Sequence, residues 1–211
     1  MLYKDAVDAS TLELLRSLQS KEYLEGFNLA GGTALALYNG HRRSADIDLF
    51  SDSSFNTEQM LEDLNHDFDF VLLSSARNTL RGAIDEIEVD IIAHRYHLIN
   101  DPVTEDNMKI MSEPDIVAMK LNAISTSGQR IKDFIDIYYL LDKYDLRTQL
   151  GFYLEKYNQK SDLLVLKSLI YFEDVEESEF PVLLKDPDLK WKDIKRKIEK
   201  TVIDYTRRTI V

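Results

Sequence analysis

The chain contains no cysteine and only four histidines, so several classes of chemistry are excluded. Disulfides, thiolate zinc sites and cysteine nucleophiles all need the missing thiol. The histidines, at positions 41, 66, 94 and 97, are too dispersed to predict an imidazole-rich metal centre. A hard cation held by carboxylates is compatible with this composition.

Excess positive charge and long apolar runs are also missing. The 26 Lys and Arg residues are outnumbered by 38 Asp and Glu, and the net charge is −12. Any contact with nucleic acid must therefore be local, because the surface as a whole does not attract a polyanion. No run approaches the roughly 20 apolar residues that span a bilayer, and the first ten residues lack a hydrophobic signal segment. We expect a cytoplasmic protein with no membrane partner.

The 211 residues, 44% of them hydrophobic, can form a sizeable core, and their pattern changes midway. Over residues 1–111 the pattern predicts a sheet with helices, whereas longer helical periods predict an all-helical domain over residues 112–211. The first half is expected to begin with a helix over Thr11 to Gln19, capped by Ser10. Gly40 is expected to end a second helix. The predicted strands are FNLA, ADIDLF, DFDFVLLSS, TLRGAI and IEVDIIAHRY, the last two forming a hairpin around Ile84 to Glu86.

Gly31 and Gly32 lie between a predicted strand and a predicted helix. Glycine allows the backbone to approach an anion closely, and the first N–H groups of the helix, with the Thr33 hydroxyl, can donate to phosphate. The alternative is a tight turn with no ligand. The sequence has neither the ATPase nor the dinucleotide glycine fingerprint.

Asp46 and Asp48 alternate with apolar residues in the next predicted strand, so both carboxylates are expected on one face. Two like charges this close are costly unless a cation or a proton relieves them. A solvated strand face is the alternative interpretation of this D-x-D pattern.

Asp90 interrupts an apolar strand, and on a neighbouring strand it would add a third carboxylate to Asp46 and Asp48. Three such acids could hold two Mg²⁺ ions for phosphoryl or nucleotidyl transfer. Asp90 could also act as a general base toward an attacking hydroxyl. The nearby acids compete for this assignment: Asp85, Glu86 and Glu88.

Cationic residues accompany these acids. Arg42 and Ser44 lie between the glycine turn and the acid pair, where they could hold a triphosphate, whereas Arg43 is expected at the surface.

Lys120 lies in a mostly apolar helix and could reach phosphates. Asp133 and Asp136 share a face of the following helix and could pair with it.

The segment from Lys190 to Arg208 has eight Lys and Arg against three Asp and Glu, a net charge of +5, which leaves −17 for the remainder. This asymmetry favours contact with RNA phosphates or with an acidic partner. An ordinary solvated helix is the alternative.

Taken in order, LAGGTALAL, GHRRSADIDLF, VDIIAH, AMKLNAIS and KDFIDIYYLL resemble the AbiEii abortive-infection toxin nucleotidyltransferases. The resemblance covers about Asn28 to Leu141. It implies an α+β fold, with a polymerase-β-like mixed sheet followed by a helical lobe, and a separately encoded antitoxin. Many such enzymes have Gly-Ser in the turn where this chain has two glycines, which removes one side-chain donor, and Thr33 is expected to replace it.

The resemblance also implies roles for individual residues. The two glycines match its phosphate-binding turn, Asp46 and Asp48 its metal pair, and Asp90 its third acid. Lys120 matches the family's lysine at the nucleotide, and either Asp133 or Asp136 matches the acid of its last motif.

The leading hypothesis is a Mg²⁺-dependent transfer of a nucleotidyl group from a nucleoside triphosphate to an acceptor, with the 3′ end of tRNA as one candidate. Two alternatives stay open. One is a non-catalytic nucleotide- or partner-binding module of the same fold, and the other is a D-x-D sugar-nucleotide transferase.

Overall fold

The computed structural model describes residues 1–209. The chain divides into two units, Met1–Ser112 and Glu113 onward, and the sequence-based boundary lies one residue earlier. In the described part of the chain, no helix is both long and apolar enough to cross a membrane.

The first unit contains a mixed sheet of seven strands. The strands are β1 Asn28–Leu29, β2 Ile47–Ser51, β3 Val71–Ala76, β4 Thr79–Ile84, β5 Ile87–Ala93, β6 Val103–Glu105 and β7 Met108–Ile110. Their order in the sheet is β3-β4-β5-β2-β1-β7-β6. Strand β2 is parallel to β5 and antiparallel to β1, and β1 is parallel to β7. The helices of this unit are α1 Ala9–Gln19, α2 Gly31–Asn39 and α3 Thr57–Asp67.

The two central parallel strands place their apolar residues on one face. Ile47 and Leu49 of β2 and Val89 and Ile91 of β5 are at most 1% exposed. Because successive side chains alternate between faces, the acidic residues between them lie on the opposite face. This alternation separates the core from the acidic side chains.

Turn residues explain where several elements end. Gly40 has a φ of +59° and ends α2, as predicted. The predicted β4–β5 hairpin is confirmed, and both of its turn residues, Asp85 and Glu86, have positive φ.

Other predictions for this unit were wrong. Helix α1 begins at Ala9, with Asp8 rather than Ser10 at the N-cap position. Strand β3 begins only at Val71, after the DFDF segment. The hairpin of β6 and β7 was missed because its strands are three residues long; its turn residues, Asp106 and Asn107, were the available signal.

The second unit is helical, as predicted. Its helices are α4 Glu113–Thr126, α5 Ile131–Leu140, α6 Leu146–Lys156, α7 Leu163–Leu169 and α8 Trp191–Thr209. Trp191, at the start of α8, makes edge-to-face ring contacts with Phe134 and Phe172. The segment between α7 and α8 contains a short 3₁₀ turn, Glu177–Glu179.

Candidate active site

Asp48 and Asp90 are opposite each other on the parallel strands β2 and β5. On the next strand, Arg81 of β4 is opposite Asp90. Directly opposite residues share a face of the sheet, so these three side chains form a row. The Arg81 Nε lies 3.4 Å from Asp90 Oδ2. The structure therefore pairs two of the three predicted acids and adds a cation that the sequence analysis did not single out.

Asp46 lies one residue before β2 and is half-buried. Within residues 1–209, no three His, Asp or Glu side chains are grouped closely enough to form a preassembled metal centre. Asp48 and Asp90 therefore form the close pair. Asp46 lies outside that pair, two residues before Asp48 in the chain.

The glycine turn lies directly against the acid pair. Gly31 has a φ of +65°, and a Cβ built on it would lie 1.9 Å from Asp48 Oδ2. The Ala30 N–H donates to the Asp48 carbonyl oxygen at 2.8 Å, which ties the start of α2 to β2. The first N–H groups of a helix have no intrahelical acceptor. This helix N-terminus is therefore suited to an anion beside the carboxylates.

Arg42 is 2% exposed, and its Nη2 would lie 2.3 Å from a Cβ at Gly32. A buried guanidinium thus packs on the second glycine, whereas Arg43 is exposed and lies 3.3 Å from Asp8, as expected for a surface arginine. Arg42 is therefore placed to add positive charge at the turn.

The Thr33 hydroxyl donates to the Asp46 carbonyl oxygen at 2.5 Å and is hydrogen-bonded to the Ser44 hydroxyl at 2.9 Å. Thr33 is 1% exposed. In this structure these two hydroxyls join α2 to the residues before β2. Their contact with a nucleotide stays a prediction.

Lys120, Asp133 and Asp136 form an ion triad inside the second unit. The Lys120 Nζ lies 2.6 Å from Asp133 Oδ1 and 2.8 Å from Asp136 Oδ2. All three side chains are at most 7% exposed. Both acids are thus partners of the lysine, and a role for the triad at the nucleotide stays a prediction.

The donor set of the first unit suits a hard divalent cation. Mg²⁺ usually takes one or two protein carboxylates and completes its shell with water and substrate phosphates. Asp48 and Asp90 provide the close pair, and the start of α2 offers a place for phosphates beside it. Two adjacent carboxylates also need a cation to relieve their repulsion, and Arg81 provides one at Asp90.

The sequence did not indicate Arg81 as a site residue, because an arginine at a polar strand position is usually a solvated side chain. Its only signal was its place in β4, which must pair with the Asp90 strand for the two residues to meet.

The chain is similar in sequence to known proteins. The family described as "Nucleotidyl transferase AbiEii toxin, Type IV TA system" matches residues 13–211. An uncharacterized protein of Aquifex aeolicus (strain VF5) is 30% identical over 202 residues, which cover 92% of this chain and 94% of that protein.

Two solved structures share the fold. A candidate nucleotidyltransferase from H. pylori has a TM-score of 0.54 at 15% identity, covering 95% of this chain and 96% of that chain. MenT4, a nucleotidyltransferase toxin from Mycobacterium tuberculosis H37Rv, has a TM-score of 0.52 at 18% identity, covering 93% of this chain and 85% of that chain. The predicted polymerase-β-like α+β fold is confirmed.

Proposed function

The chain belongs to the AbiEii family of nucleotidyltransferase toxins, and we propose that it uses Mg²⁺ to transfer a nucleotidyl group from a nucleoside triphosphate to an acceptor hydroxyl. The observation that carries this proposal is the contact of the Gly31 turn with Asp48, which in turn pairs with Asp90. This contact places the glycine turn, which we call the phosphate seat, beside a pair of carboxylates that can bind a metal.

In the proposed reaction the acceptor oxygen bonds to the α-phosphorus, and the bond between that phosphorus and the bridging oxygen breaks. Pyrophosphate leaves, and the proton of the acceptor hydroxyl passes to Asp90 as general base. The N–H groups after Gly31 and the Arg42 guanidinium bind phosphate oxygens.

Two Mg²⁺ ions, when bound, would neutralise charge on the triphosphate. Asp46, Asp48 and Asp90 would hold them. Gly32, Thr33 and Ser44 would line the nucleotide subsite of the first unit. In the second unit, Lys120, with Asp133 and Asp136, is a further proposed nucleotide contact, which rests on the family resemblance.

The family's description as a type IV toxin–antitoxin system supports a separately encoded antitoxin as the partner. We propose the 3′ end of tRNA, or of another RNA, as the acceptor. The cytoplasm, where triphosphates and RNA are both abundant, is the proposed location.

The test is to incubate the chain with each α-labelled nucleoside triphosphate, Mg²⁺ and total RNA or protein, and to identify the labelled product. Asp46→Asn, Asp48→Asn and Asp90→Asn should each lower transfer by at least about 100-fold, because an amide does not supply the charge that the metal ions require. The control is Asp101→Asn, which removes an exposed acid from a loop.

Near-normal turnover by Asp90→Asn would exclude Asp90 from the site, and Glu88→Gln would then be tested. A wild-type chain that binds triphosphate but labels nothing would contradict catalysis and favour the binding-module alternative.

A further inference from the structure

Three aromatic rings lie in series beside the acid pair. The rings of Phe50 and His94 have centroids 5.9 Å apart, and those of His94 and Tyr96 are 4.8 Å apart. Phe50 follows Asp48 by two residues in β2 and so shares its face. His94 directly follows β5, the strand of Asp90. We call these three residues the aromatic ledge.

The outer part of the ledge, at Tyr96, is accessible, and the segment around it contains no acidic residue. Tyr96 is 45% exposed, and its neighbours Arg95 and His97 are exposed as well. Residues 91–100 contain one arginine, two histidines and no Asp or Glu, although the whole chain carries −12. A local site of this kind is what an acidic protein needs to hold a polyanion.

The phosphate seat and the ledge lie at different positions along β2. The seat lies against Asp48 and the residue before the strand, since Gly31 packs on Asp48 and the Thr33 hydroxyl donates to the Asp46 carbonyl oxygen, whereas Phe50 and His94 lie near the ends of β2 and β5. At about 3.3 Å per residue, Phe50 is roughly 6.6 Å beyond Asp48 along the strand. The inner end of the ledge, at Phe50, is therefore about one nucleotide from Asp48 along the strand, on the side away from Asp46.

We propose that the aromatic ledge binds the terminal base of a single-stranded RNA acceptor, stacked on Tyr96 and His94, with Arg95 contacting the adjacent phosphate. This inference rests on the proposed function, since it assigns the acceptor subsite of that reaction. Exposed aromatic rings interleaved with cations are the usual means of holding single strands, because every base has a face that can stack.

The first experiment measures binding without triphosphate or metal, by fluorescence anisotropy of a labelled oligoribonucleotide that ends in a free 3′ hydroxyl. Tyr96→Ala should weaken binding by about 5-fold to 150-fold, the range of base–aromatic stacking, whereas Tyr96→Phe should bind like wild type. Arg95→Ala should weaken binding and flatten its salt dependence by about 0.7 units of log–log slope. The charge-matched control is Arg77→Ala, an exposed arginine in the turn before β4.

An oligonucleotide with an abasic 3′ residue tests the stacked base itself. Wild type should lose as much affinity for this RNA as Tyr96→Ala loses for the intact one, and the two changes together should cost no more than either alone. Additive losses, or equal binding of the intact RNA by wild type and Tyr96→Ala, would overturn the proposal. Absence of RNA binding by wild type would overturn it as well.

A transfer assay then separates the acceptor from the incoming nucleotide. Tyr96→Ala should raise the KM for the RNA acceptor and leave the KM for the triphosphate unchanged. The opposite result would assign the ledge to the base of the triphosphate and overturn the acceptor subsite. If wild type binds RNA through Tyr96 but transfers no label, the ledge is still an RNA-binding site. That result would contradict the proposed function alone.

Discussion

Gly31 and Asp48 pack so closely that a Cβ at position 31 would lie 1.9 Å from the Asp48 Oδ2 atom. The φ of +65° at Gly31 is also one that L side chains rarely adopt. Glycine is thus needed here for two independent reasons, one of backbone conformation and one of space beside a carboxylate.

Gly31→Ala should displace Asp48 and lower nucleotidyl transfer by at least about 10-fold, because misplaced charge beside the reacting phosphate is costly. The positive φ should cost a further 1–2 kcal/mol of the free energy of unfolding, approximately. Transfer and urea denaturation measure the two effects. The matched control is Gly151→Ala in α6, where a Cβ meets nothing within 4 Å; it should be stabilising. Wild-type transfer by Gly31→Ala would contradict the importance of this contact.

Lys120→Met should lower both stability and nucleotide affinity. It leaves Asp133 and Asp136 buried without their cation, which typically costs about 3–5 kcal/mol, and loss of the proposed phosphate contact should cost about 1.5–3 kcal/mol of binding. Thermal melting and triphosphate titration are the measurements.

A triple variant, Lys120→Met with Asp133→Asn and Asp136→Asn, separates these two effects. It removes the buried charges together and should recover stability without recovering affinity. The control Lys156→Met breaks a different buried pair, with Asp115 at 2.6 Å, and should affect stability alone. Normal triphosphate affinity in the folded triple variant would make Lys120 purely structural.

The basic face of α8 is narrower than its sequence indicates. Lys197 is engaged within the second unit, since its Nζ lies 2.5 Å from Asp142 Oδ1 and 3.0 Å from the Tyr138 carbonyl oxygen. Lys192, Arg196 and Lys200 are exposed and spaced by four residues, so they form one stripe.

Changing Lys192, Arg196 and Lys200 to Glu should reduce transfer to RNA and flatten its salt dependence, while triphosphate binding is retained. Steady-state transfer at several salt concentrations measures this. The comparison variant Lys197→Glu should lower the melting temperature instead, because it breaks contacts inside the unit. Unchanged RNA-dependent transfer in the triple reversal would mean that the acceptor binds elsewhere.

Asp145 caps helix α6, because its Oδ1 accepts a hydrogen bond from the Thr148 N–H at 2.8 Å. This hydrogen bond to the carboxylate lowers the pKa of Asp145. The contribution to stability is therefore present above the unfolded pKa of about 3.9 and is lost as pH falls through the lower folded pKa.

Asp145→Ala should cost about 0.5–2 kcal/mol of unfolding free energy at neutral pH. The difference from wild type should shrink below the folded pKa. Asp145→Asn keeps an acceptor and should show a smaller loss at neutral pH. Urea denaturation of the three proteins across pH measures this, and a pH-independent difference for Asp145→Ala would contradict the charged cap.

Local pattern was enough to predict most elements and to select candidate site residues. The alternation around Asp48 and Asp90 and the glycine that ends α2 depend on residues close in sequence, so they could be predicted. The three-residue strands β6 and β7 could not, since so few residues carry no periodicity of their own and are held by pairing across the sheet.

The sequence by itself determined which residues could be charged, apolar or conformationally free: the glycine turn, the alternating acids and the change to helical periods at residue 112. Only the tertiary structure decided which of them meet. Strand pairing brought Arg81 to Asp90, and helix packing enclosed Lys120 between two acids that the sequence offered as alternatives. The physical reason is that such contacts join residues distant in the chain, and their energies depend on burial and register that local sequence does not specify.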